Sequence, residues 1–225
     1  MKLRHLIYIG CTVLIQISLE AKEPDHLLPS TDLAAFPAYK TLMRKKLERT
    51  KFDCGRIILR PAFSNSNESS ISVYGCSENG HVRYKVTCIM AMDSLWDASN
   101  GGALPEKGAS VKTRRIDFFI PNALAEKLKT PIATLVKTAR PLGANEQPKS
   151  VTLEGLRIDF SIPQPGGRIA HGEMGDFPPM GPKLKHLQEL ALDLHESCEA
   201  SAAERDTFLK KVERNATILI GLLQE

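Results

Sequence analysis

The chain has few of the features that mark enzymes or nucleic-acid binders. Its 225 residues contain no G-x-S-x-G, H-E-x-x-H, P-loop or G-x-G-x-x-G, so no motif-defined hydrolase, zinc protease or nucleotide binder is indicated. Cysteine is sparse, with five in all and no C-x-x-C, and no histidine stands at ligand spacing from any of them. A structural zinc site is therefore not expected, nor is any other metal or a cofactor. There is a single tryptophan, Trp96.

Neither sign of charge dominates. The net charge is +4 with 25% charged residues, an average surface and not the clustered basic face of a nucleic-acid binder. "MRKKLERTK" at 43–51 is the one basic cluster, read as a solvated helix face.

The start of the chain carries its own pattern. Lys2 and Arg4 precede the mostly apolar run Leu6–Ser18, and Ala21 follows as a small residue for cleavage. That order is the order of a secretory signal peptide. The run is shorter than the roughly 18–20 residues a membrane span needs, so the expectation is export, to a periplasm or beyond, with no membrane attachment after cleavage. Residues 1–21 are thus read as the signal, 22–37 as an irregular leader with three prolines, and 38–225 as a single globular domain. Removing the signal leaves a net charge of +3 and four cysteines.

An even cysteine count in an exported chain favours disulfides. Asn79-Gly80 is the preferred pair for a two-residue type I′ turn, and it sets a register. If Glu78 faces His81, then Cys76 faces Arg83 and Ile71 faces Cys88. Cys76 and Cys88 then stand roughly 16 Å apart along the ladder, beyond the reach of a disulfide. If the preceding strand turns back through "SNSNE", Cys54 comes out near Cys76. The expected pairs are Cys54–Cys76 and Cys88–Cys198.

One phrase occurs twice, as "RRIDFFIP" at 114–121 and "LRIDFSIP" at 156–163. Both read as strands with alternating faces: Ile116, Phe118 and Ile120 on one side in the first, Ile158, Phe160 and Ile162 in the second. "NALAEKLKTPIATLVKTAR" between them reads as a helix with Asn122 as N-cap and Leu124, Leu128, Ile132 and Leu135 on one side. Pro131 is expected to kink or split it. A parallel βαβ-type crossover would follow from that order. An antiparallel pairing would instead set Arg115 against Asp159 and Asp117 against Arg157.

The C-terminal third reads as a helix pair. Leu184, Leu187, Ala191, Leu194 and Cys198 step by three and four, and Ser201-Ala-Ala-Glu204 is a capping box. The fold expected is α+β: a mostly antiparallel sheet of five to six strands, with one parallel crossover as an option, covered on one face by helices and closed by a C-terminal helix hairpin.

For chemistry, His171 and Glu173 share a strand face beside Gly172 and Gly175. A histidine next to a glutamate can act as acid or base, although such pairs are more often structural. His186 and His195, nine residues apart on one helix, fall on opposite sides at about 3.6 residues per turn. Trp96, in the Gly- and Ser-rich stretch 93–110, together with Arg115, Asp117, Arg157 and Asp159, makes up the candidate binding set. The first expectation is a non-catalytic binding module with a protein partner. A small hydrolase using His171 and Glu173, or a carrier of a small apolar ligand between sheet and helices, are the alternatives.

Overall fold

In this computed structural model, residues 23–30, 36–48, 50–61, 67–99, 111–143, 155–175 and 180–225 are described. The proposed signal peptide and residues 100–110 of the Gly-rich stretch lie outside them.

The hairpin of β2 (Ser69–Glu78) and β3 (His81–Ala91) organises the sheet. Asn79 and Gly80 take φ of 52° and 79°, as a type I′ turn requires. Glu78 pairs with His81, Cys76 with Arg83 and Ile71 with Cys88, the register that the turn predicts. β1 (Gly55–Pro61) pairs with β2 on one side and with β5 (Leu156–Pro163) on the other. β4 (Thr113–Ile120) closes one edge beside β3, and β6 (Ile169–Met174) lies outside β5. The order is β4-β3-β2-β1-β5-β6, and every ladder is antiparallel.

This overturns the parallel crossover. β4 and β5, which carry the repeated phrase, are separated by three strands and never pair. Arg115 therefore does not meet Asp159, nor Asp117 Arg157. The helix between them, α3 (Asn122–Lys137), runs unbroken through Pro131, whose ring is buried and whose helix is fixed by packing on both sides of it. Asn122 is the first helical residue and not the cap; its side chain donates to Val82 O at 3.1 Å.

α4 (Pro182–Glu199) and α5 (Ala202–Leu222) form the expected C-terminal helix pair, with the Ser201/Glu204 capping box in place. Arg205 reaches back to the carbonyls of Ser197 and Ala200 and satisfies the end of α4. Leu184, Leu187, Leu190 and Leu194 from α4 and Val212, Ala216 and Leu219 from α5 join α3 and the Ile/Phe/Ile faces of β4 and β5 in one core. Burial of these side chains, about 1.5–3 kcal/mol each, is what holds three helices on that face.

The opposite face is covered as well, contrary to the one-sided expectation. α1 (Pro37–Lys46) and the short α2 (Leu95–Ala98) lie there. Tyr39, Leu42, Met43 and Leu47 pack with Ile58, Ile89 and Leu95 into a second, smaller core. The leader also belongs to the fold: Leu27 is fully buried, and Leu28 bridges to Glu173 beside β6 through two backbone hydrogen bonds.

Candidate functional site

Strand alternation places Ile57 and Leu59 of β1 in the main core and turns Arg56, Ile58 and Arg60 to the other face. Arg60 is only 7% exposed there. Its Nη2 donates to Asp159 Oδ1 at 2.7 Å, its Nε to Asp159 Oδ2, and Nη2 lies 3.4 Å from Glu173 Oε2. The β5–β6 register sets Asp159 opposite Glu173, so one guanidinium serves two carboxylates. Burial pushes the Asp159 carboxyl above its ordinary range, and Arg60 only partly offsets that.

A second polar layer adjoins it. Glu68, 2% exposed, accepts from the backbone N–H of Leu95 at 2.8 Å and of Trp96 at 3.1 Å, capping the start of α2. Tyr39 hydrogen-bonds the same carboxylate, and burial together with Glu68 raises its phenol pKa. Trp96 therefore sits on a fixed helix and not on a free loop. Its ring makes edge contacts with Phe36 and Tyr39, with centroids 5.1 and 5.3 Å apart.

His171 and Glu173 do share a face of β6, as read. Glu173 is directed to Arg60, and His171 Nδ1 meets Ser161 Oγ at 2.9 Å across the ladder. Serine and histidine at that distance have the geometry of a nucleophile and base. The acyl-transfer machinery also needs backbone or side-chain donors aimed at an oxyanion and a group orienting the imidazole; the carboxylate on the same strand face, Glu173, is directed to Arg60. Gly172 is close-packed, since a Cβ there would stand 2.9 Å from Leu27 Cδ1. It admits the leader, not a ligand.

The other candidates separate. Asp117, on edge strand β4, accepts from Thr87 Oγ1 and Arg115 Nε and pairs with Lys85 at 3.2 Å. Burial acts to raise its pKa, but these three donors outweigh it and hold it below the ordinary value. Arg157 is exposed on β5, opposite Arg60.

All four described cysteines are free thiols. The expected Cys54–Cys76 pair does not form. Cys54 is in the main core beneath α3, with its thiol pushed up to about 12 by burial and by Asp53. Cys76 points to the other face, its Sγ 3.3 Å from Arg83 O. Cys88 and Cys198, by contrast, are both fully buried in the main core, where the neighbouring Cys198 and burial together push the Cys88 thiol well above its ordinary range.

Sequence reading missed Arg60, Glu68 and Tyr39. The spacing of Arg56 and Arg60 on either side of Ile58 was the available signal, because it puts two cations on one strand face. It also missed His195, Glu196 and Glu199, whose ligand atoms come within 4.8 Å at the solvent side of α4; two of the three are exposed, as carboxylates on helix surfaces commonly are. Beside the leader lies a shallow, mostly apolar recess, open to solvent and lined by Leu28, Leu142, Met174, Met180 and Leu184 together with His26 and Glu173.

No known protein family, curated protein or solved structure matches this chain.

Proposed function

We propose that the chain is a non-catalytic binding module of an exported protein, and that it meets a protein partner at the corner formed by α1 and α2. The observation that carries this reading is the state of the ionisable groups. Arg60, Asp159, Glu68 and Tyr39 are spent on one another or on a helix end beside α1, and Glu173, which Arg60 also reaches, is the one member of the set that lines the recess beside the leader. At the corner itself, Phe36 remains 38% exposed against Trp96, and Met92, in the link from β3 to α2, is 53% exposed. Arg44 and Lys45 stand exposed in the last turn of α1. An apolar spot at the start of α1, with cations about 12 Å away in its last turn, fits a protein surface that offers an apolar side chain and, at that distance, a carboxylate.

The test uses the full chain as bait against the exported fraction of its source, beside a Phe36→Ser/Met92→Gln variant. A stoichiometric protein captured by the first and lost by the second, with a shift in the emission of the lone tryptophan on binding, supports the reading. Capture that the two substitutions leave unchanged overturns the assigned face. Absence of any captured protein, with a small apolar molecule released on denaturation, moves the reading to a carrier that uses the recess beside the leader.

A further inference from the structure

We propose that Cys88 and Cys198 are a site of covalent modification: they close a disulfide that fastens the last turn of α4 to the middle of the sheet. The inference stands apart from the partner-binding reading. It starts from placement. The β3 register sets Cys88 between Ile71 and Ile116, facing the helices. The three-and-four spacing of α4 brings Cys198 onto the same core as Leu187, Ala191 and Leu194. Both cysteines are fully buried, Cys198 Sγ donates to Leu194 O at 3.2 Å, and Arg205, bonded to Ser197 O, lies over the ring of Phe118, two residues along β4 from Ile116, the partner of Cys88. Two thiols buried on facing elements of one core need little rearrangement to be bridged.

Selectivity follows from the other two cysteines. Cys54 and Cys76 lie on opposite faces of the sheet, so neither is a partner for the other, and the folded chain favours one bridge out of the three pairings open to four cysteines.

The oxidant is an external disulfide, such as glutathione disulfide. The thiolate of one cysteine attacks it, forming a mixed disulfide and releasing one thiol. The second cysteine then attacks the mixed disulfide, forming the Cys88–Cys198 bond and releasing the second thiol. One S–S bond is consumed and one is made, and the two protons leave with the departing thiols. Both thiols are fully buried, so neither meets an external disulfide in the folded chain. The bridge therefore forms while the chain folds, before α4 closes over β3, and a folded reduced chain resists oxidation.

The experiment is refolding of the reduced full chain in a glutathione redox buffer, acid quench, and tryptic mapping without reductant. Peptides 86–107 and 186–205 each hold one cysteine, and they are expected as one linked species, lighter than their sum by two hydrogens. The same buffer added to folded reduced protein should yield that species at least about tenfold more slowly. Separate recovery of the two peptides after refolding, or linkage through Cys54 or Cys76 in their place, overturns the proposal. Equal rates in the two arms overturn the order of events argued from burial.

Discussion

Arg60 shows how much one side chain can decide. Under α1 it hydrogen-bonds both Asp159 and Glu173, and removing one member of such a set leaves uncompensated charge. Arg60→Met should cost about 3–5 kcal/mol at neutral pH, measured by urea unfolding. A cost below about 1 kcal/mol would mean the triad is hydrated in solution. Asp117 and Asp159 then make opposite predictions with pH. The folded pKa of Asp117 lies below its unfolded value, so its stabilisation is present above the unfolded value and is lost as pH falls through the folded one. Asp117→Asn should cost about 1 kcal/mol at pH 7, and less at pH 3. The folded pKa of Asp159 lies above its unfolded value, so the folded state holds that proton more tightly. Stability from this group is greatest below the unfolded value and declines as pH rises through the folded one. Unfolding curves of the Asp117→Asn and Asp159→Asn variants across pH 3–7 should therefore change slope in opposite senses. Ser161 belongs at this scale too. A fluorophosphonate probe should leave it unlabelled, and labelling that is lost in Ser161→Ala would restore the hydrolase reading.

Among elements, legibility followed locality. The β2–β3 hairpin was readable to the residue because Asn79-Gly80 imposes its register without help from the rest of the chain. The α4 stripe and the Ser201 cap were readable for the same reason. Strand order was not. The two R-I-D-F-x-I-P strands solve one problem, with Ile/Phe/Ile toward the helices and the aspartate toward cations on the other face: Lys85 and Arg115 for Asp117, Arg60 for Asp159. That pattern fits a strand at the edge as well as one inside, so it carries no information on neighbours. The stripe of α1 likewise reveals that the helix is buried on one side, but not against which face of the sheet. The leader is the clearest case of tertiary contact without local pattern. Its Leu27 fills the space left by Gly172, a fit that exists only once β6 is in place. Gly172→Ala should cost about 1–3 kcal/mol through overpacking, and Leu27→Ala about 2–4. The double variant should cost less than their sum by about 1 kcal/mol. Strict additivity in thermal or chemical unfolding would mean that the leader does not rest on β6 in solution.

At the scale of the molecule, the two faces of the sheet are unequally held. The main core draws on α3, α4 and α5 and all six strands, with Lys127–Glu213 tying α3 to α5 at 2.7 Å. A Cys88–Cys198 bridge would close a loop of about 110 residues within it, which on chain entropy adds about 4–5 kcal/mol. Among the described residues, the second face has the ten-residue α1 and the four-residue α2, joined through a smaller cluster. Isolated helices of that length are marginal in water, so α1 depends on Tyr39, Leu42, Met43 and Leu47 staying docked. The layer with the exposed Phe36 and Met92 should therefore be the first to open. Hydrogen exchange should find the α1 amides exchanging faster than those of β1, β3 and α4 by two orders of magnitude or more, roughly 3 kcal/mol of local opening. Leu47→Ala should accelerate α1 alone, whereas Leu194→Ala should lower protection throughout. Equal protection of α1 and α4 would mean that the sheet holds both faces as one cooperative unit. The corner assigned to the partner would then be a rigid surface, not one that can adjust on binding.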